Sequence, residues 1–192
     1  MPSLLQSTAN TRTVLPGNER LLRSDAPLSP TAADVVFLLE HGVTTLIDLR
    51  SEAEAARKPC PLAQDPRFRY HHLPVTGGNA MPASPADVPL SYLRMLDAQM
   101  ERILSIIRET DGVMYFCAAG KDRTGVVSAL IQREHGMEDD AIAAEYALSG
   151  GNLQQLFSVF HAAHPEIDTE IYTPKKEYML KFLDTLRTSA IY

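Results

Sequence analysis

The 192-residue chain carries 18 Lys and Arg against 24 Asp and Glu, a net charge of −6, with 45% hydrophobic and 22% charged residues. Those values fit an ordinary globular chain with a substantial core, and they argue against disorder and against holding nucleic acid or an anionic membrane by bulk charge. Two cysteines, Cys60 and Cys117, are too few for a disulfide scaffold and lack zinc-site spacing; with no signal-like start and no run near ~18 apolar residues, the expectation is a cytoplasmic protein without cofactor or metal.

Residues 1–18 are polar and close on the turn Pro16-Gly17-Asn18, which predicts a surface arm on a single domain spanning 1–192. A short strand follows over 20–23. Ser29-Pro30 reads as an N-cap and first helical residue, with Val35, Val36, Leu38 and Leu39 as the apolar side and Gly42 as the stop. Residues 44–49 are β-branched and apolar throughout, as in a parallel strand covered on both faces. Asp48 and Arg50 stand at its C-terminal end, the edge where open α/β sheets gather their sites. Either side chain faces a pocket there, or the pair caps the next helix, whose first turn holds Ser51, Glu52 and Glu54. Cys60, between two prolines, reads as a buried bystander. Residues 68–75 form another strand; His71 and His72 fall on opposite faces and make a poor metal pair. Residues 76–85 have the chemistry and length of a flap overhanging a site. Residues 90–109 carry Leu93, Leu96, Met100, Ile103, Leu104 and Ile107 at helical spacing, a core stripe.

Asp111-Gly112 then turns the chain into Val-Met-Tyr-Phe-Cys-Ala-Ala-Gly-Lys-Asp-Arg-Thr-Gly, residues 113–125: a strand, a tight loop and a helix start. Cys117 and Arg123 are six positions apart, and Ala118, Ala119 and Gly120 are small enough for the backbone to curl between them. A curled loop at a helix N-terminus points several N–H groups into one concavity, where the helix dipole adds positive potential. Arg123 brings a planar fork able to hold two oxygens of a phosphate, and Lys121 a second, more mobile charge. Cys117 would lie under the phosphorus, where a helix N-terminus and adjacent cations favour the thiolate. Thr124 is placed to donate its hydroxyl to that thiolate as it leaves. Beyond the loop, 125–135, 139–148, 152–163 and 173–188 read as helices, a helical C-terminal part laid on the sheet. Strands separated by helices imply an α/β fold with a mostly parallel sheet of four to five strands.

Cys-Ala-Ala-Gly-Lys-Asp-Arg-Thr-Gly resembles the Cys-x5-Arg signature loop of the protein tyrosine phosphatase superfamily, and its Lys-Asp pair resembles the bacterial atypical branch of tyrosine and phosphoinositide phosphatases. Leu21-Leu22-Arg23-Ser24 and Leu46-Ile47-Asp48-Leu49-Arg50-Ser51 also look like that branch's early strands. The resemblance implies a two-step phosphomonoesterase with Cys117 as nucleophile and Arg123 on the transition state. It implies a phosphate-binding set of Ala118, Ala119, Gly120, Lys121, Thr124 and Gly125, with Asp48 and Arg50 beside it. The resemblance also implies Asp122, inside the loop, as general acid in place of the Asp of the Trp-Pro-Asp loop, a motif this Trp-free chain lacks; Asp48 is the second candidate, and a backbone-tied helix-end carboxylate the alternative for Asp122. One departure is Phe116, where the family places a His that helps orient the loop. A phosphorylated protein or a phosphoinositide is the implied partner. A silent phosphate-binding module, a persulfide-carrying sulfurtransferase and an arsenate reductase with a resolving Cys are the rivals.

Overall fold

The computed structural model describes residues 2–189. Its strands are β1 (Arg12–Thr13), β2 (Leu21–Asp25), β3 (Thr45–Asp48), β4 (Arg69–His72) and β5 (Val113–Cys117), joined in one sheet of order β1-β2-β5-β3-β4. β2, β5, β3 and β4 run parallel, and β1 pairs antiparallel with β2. This is the expected α/β architecture with a mostly parallel sheet. Every residue of β3 and β5 is buried, as their unbroken apolar runs required. Strand alternation sends Val113, Tyr115 and Cys117 into one core and Met114 and Phe116 into a second core on the other face.

The helices are α1 (Ala32–Glu40), α2 (Glu52–Arg57), α3 (Val88–Leu93), α4 (Ala98–Glu109), α5 (Asp122–Glu134), α6 (Asp139–Asn152), α7 (Gln154–Ala163), α8 (Thr169–Tyr172) and α9 (Lys176–Ser189). α4, α5, α6 and α9 supply the first core, and α9 packs on α3 and α6 through Met179, Phe182, Leu183 and Leu186. α1 begins later than Ser29-Pro30 implied, because Thr31 and Asp34 form a reciprocal capping box. The stripe over 90–109 is split: Asp97 caps α4 by accepting from Gln99 N–H, and α3 is a separate short helix. Among the described residues no helix is long and apolar enough to cross a membrane.

The first eighteen residues are not a surface arm. Leu5, Asn10, Thr11, Arg12 and Val14 are buried, and the backbone continues into the sheet as β1. Their polarity is satisfied internally: the Thr11 and Ser24 hydroxyls bond at 2.5 Å, and Arg12 Nε donates to Glu145 Oε1 at 2.5 Å. Polar residues bury when each finds a partner, and the partners here lie far along the chain. Met1 and residues 190–192, included in the expected single domain, lie outside the described residues.

Candidate active site

β5 ends on Cys117 and α5 begins at Asp122, so residues 118–121 make the turn at the sheet's C-terminal edge. Gly120 has φ +64°, and a Cβ there would lie 2.4 Å from the Asp25 nitrogen and 2.5 Å from the Ser24 carbonyl oxygen. Only glycine fits that turn. Its carbonyls are held from outside: Ala118 O accepts from Ala26 N–H at 3.3 Å, Ala119 O from Asn10 Nδ2 at 3.2 Å, and Gly120 O from Asn10 Nδ2 at 2.9 Å and Arg23 Nη2 at 3.0 Å. Among the described residues the N–H groups of Ala118, Ala119, Gly120 and Lys121 make no backbone hydrogen bond. Carbonyls tied back and N–H groups left over is the polarity an anion site needs.

Cys117 and Arg123 are both buried, at 3% and 8% exposure. Arg123 is gripped by α2, its Nη1 donating to Glu54 Oε2 at 2.6 Å and its Nη2 to Glu54 Oε1 at 2.8 Å, with a longer 3.5 Å reach to Asn79 Oδ1 on the flap. Burial works against the Arg123 charge, but the Glu54 bonds and the negative charge a Cys117 thiolate offers outweigh it and raise the pKa. The Arg123 hydrogen bonds in turn pull Glu54 down to about 2 against its partial burial.

Three expected ligands of the cradle are differently employed. Gly125 N–H donates to Lys121 O at 2.8 Å inside the helix, and a Cβ on Gly125 would lie 2.9 Å from the Tyr146 ring. Gly125 therefore serves the approach of α6 to α5. Thr124 is fully buried, and its Oγ1 has no hydrogen-bond partner among the described residues, so the expected donation to Cys117 is not made. Lys121 is not a mobile charge: its Nζ donates to Tyr172 O at 2.6 Å, lies 3.3 Å from Asp122 Oδ2 and sits 5.7 Å from the Phe157 ring centre. The end of α8 offers an open carbonyl that captures it.

Asp48 and Arg50 neither face the cradle nor cap a surface helix. Asp48 is fully buried and accepts from Arg50 Nε at 2.9 Å, Arg50 Nη2 at 2.6 Å and Tyr70 Oη at 2.6 Å. Arg50 also donates to Lys58 O at 2.7 Å and lies 5.7 Å over the Phe116 ring. A buried carboxylate must be matched by a buried cation, and spending both on each other removes Asp48 as an acid. Phe116, where the family places His, belongs to this opposite-face core with Leu22, Leu46 and Met114.

Asp122, the first residue of α5, has a 38% exposed side chain and accepts from the Tyr92 hydroxyl at 2.9 Å. With Lys121, Tyr92 and Tyr172 it lines a cavity of about 190 Å³, whose wall also includes the flap residues Asn79, Ala80, Met81 and Pro82. The flap read from its length borders the Asp122 side of the site, with Asn79 at 3.5 Å from Arg123.

Sequence reasoning missed the frame behind the loop. Asn10 Nδ2 also reaches Ser149 Oγ at 3.2 Å, while its Oδ1 accepts from Arg12 Nη1 at 2.5 Å and Asn152 Nδ2 at 3.1 Å. The Asp25 carboxylate holds Asn10 N–H at 2.8 Å, and Glu145 bridges Arg12 and Arg23. Burial, then repulsion from Arg23, lowers Arg12 to about 10, with Glu145 opposing. The signals present were Asn10, Arg12 and Arg23, three polar groups around strand sequence, but nothing local tied them to the loop.

A family model described as "Tyrosine phosphatase family" matches residues 6–190. A tyrosine-protein phosphatase of Nostoc commune is 33% identical over 135 residues, 65% of this chain and 46% of that protein. The triple specificity protein phosphatase PtpB of Mycobacterium tuberculosis is 33% identical over 73 residues, 38% of this chain and 26% of that protein. The chain thus spans less than half the length of these two relatives. Among solved structures, human DUSP28 is 16% identical with a TM-score of 0.48, covering 97% of this chain and 99% of that one. A match that takes in the N-terminal frame, the loop and the C-terminal helices alike places this chain in the tyrosine phosphatase family.

Proposed function

We propose that the chain is a cysteine-dependent phosphomonoesterase acting on phosphotyrosine or phosphoinositide substrates through a cysteinyl-phosphate. The observation that carries this is the loop itself, with carbonyls held from behind, N–H groups unspent and Arg123 beside Cys117. The Cys117 thiolate attacks phosphorus in line, and an S–P bond forms as the ester P–O bond breaks. The loop N–H groups and Arg123 hold the charge on the equatorial oxygens. Asp122 protonates the departing oxygen; water then attacks phosphorus, gives a proton back to Asp122 and frees the thiolate.

The position of Cys60 speaks against an arsenate reductase, because it is buried in the core on the opposite sheet face from Cys117. Family membership favours phosphate over a persulfide in the same cradle. Lys121 beside the cavity suits a highly charged head group, and the aromatic wall of Tyr92 and Tyr172 suits a phenyl ring. The relative named for triple specificity adds weight to more than one substrate class. The test is phosphate release from phosphotyrosine peptides, phosphoserine peptides and phosphoinositides, with Cys117→Ser as control. The variant should lose several powers of ten in turnover yet still bind vanadate, and retention of more than about 1% of wild-type activity would remove Cys117 as nucleophile.

A further inference from the structure

Tyr92 on α3 and Tyr146 on α6 are each 1% exposed, and their hydroxyl oxygens lie 2.5 Å apart. The Tyr92 hydroxyl also lies 2.9 Å from Asp122 Oδ1. A phenol has one proton to give, and the Asp122 Oδ1 oxygen accepts whether or not Oδ2 is protonated. Tyr92 therefore donates to Asp122, and Tyr146 donates to Tyr92. Edge-to-face packing against Tyr146 at 6.0 Å and Phe182 at 6.1 Å fixes the Tyr92 ring. Burial first, and then the Asp122 charge, raises both phenol pKa values, so both carry their protons at neutral pH.

From this chain we propose that Tyr92 is a positioning residue for Asp122, held in its turn by Tyr146; the proposal rests on the acid role given to Asp122 above. With Oδ1 accepting from Tyr92, Oδ2, which the Lys121 ammonium approaches at 3.3 Å, is the oxygen that carries the transferable proton, and rotation of the carboxyl group would break the Tyr92 bond. In the first step the Oδ2 proton passes to the leaving oxygen as its bond to phosphorus breaks, and Asp122 becomes a carboxylate. The Tyr92 O–H is already aimed at that developing charge, a donor that need not reorganise. In the second step the attacking water returns its proton to Oδ2 as the S–P bond breaks. The phenol protons stay in place throughout.

Tyr92→Phe keeps the ring and removes the donor. Compared by kcat/KM, it should lose about tenfold on phenyl phosphate, the worth of one hydrogen bond, and several-fold less on 4-nitrophenyl phosphate, whose anion departs with little help. Vanadate affinity should stay within about twofold of wild type. Tyr92→Phe combined with Asp122→Asn should be no slower than Asp122→Asn alone, because Tyr92 acts through that carboxyl group. Equal losses on both esters, a parallel loss of vanadate binding, or a double variant tenfold below Asp122→Asn would each overturn the proposal. Asp122→Asn with Tyr92 intact tests the acid itself: a loss that ignores the leaving group removes that reading and this proposal with it. Should Tyr92→Phe fail to fold, Tyr146→Phe decides, with a two- to threefold loss confined to phenyl phosphate expected and a uniform loss refuting.

Discussion

Glu54 is the only carboxylate seen bonding the Arg123 fork among the described residues, and Glu54→Gln tests what that grip is worth. Its pKa falls from an ordinary 4.5 to about 2, chiefly through the Arg123 hydrogen bonds. Each tenfold in proton affinity is about 1.4 kcal/mol, so the full shift would be about 3 kcal/mol. The Glu54 side chain is 26% exposed and water screens part of that, leaving about 1–2 kcal/mol. Because the folded pKa lies below the unfolded one, the stabilisation is complete above pH 4.5 and drains away as pH falls towards 2. Urea unfolding at pH 7 and pH 3 should show Glu54→Gln about 1–2 kcal/mol less stable at the higher pH and separated by less than half of that at the lower. Glutamine offers one acceptor in place of two charged oxygens, so Arg123 should also be less well aimed and vanadate binding several-fold weaker. A variant whose unfolding free energy shows the same acid dependence as wild type would refute the reasoning, since the dependence would then belong to another group.

Gly120→Ala should leave a folded protein with vanadate affinity at least tenfold weaker and stability lower by about 1–2 kcal/mol from the left-handed backbone alone. Its Cβ has no room beside Asp25 and Ser24, so the loop must shift; inhibition at wild-type vanadate concentrations would refute this. Phe116→His, which restores the family's residue, should cost about 1–3 kcal/mol by burying an imidazole in an apolar core and should not speed turnover. Unchanged urea stability or a faster enzyme would show that position 116 reaches the loop.

What could be read from the chain was whatever neighbouring residues decide together. Val113–Cys117, the small residues after it and the helix start are contiguous, and the structure keeps them as a strand, a turn and a helix. The flap was legible because its length exceeds what a connection needs. Asp48 and Arg50 were misplaced because two charges at a strand's C-terminal end look the same whether they face a ligand or each other; Tyr70, 22 residues on, completes the buried pair. Glu54 was visible only as a first-turn acid, since its partner lies 69 residues away, and Tyr92 read as ordinary helix because Asp122 is 30 residues off. The N-terminal segment was taken for a solvated arm by its polarity, and pattern reading has no way to separate water from a hydrogen-bonding partner a hundred residues distant.

That distance sets the order in which the molecule can be made. Asn10 precedes Gly120 by 110 residues and Ser149 by 139. At roughly 5–20 residues per second, about 5–20 s of synthesis separate the amide from the carbonyls it will hold. When Cys117 and Arg123 are joined to the growing chain, Glu145 and Ser149 have not been added, and the two guanidinium groups behind the loop have no carboxylate between them. The nascent chain carries the whole signature before it carries the site. The loop is fully framed only with the docking of α6, however early Cys117 is made.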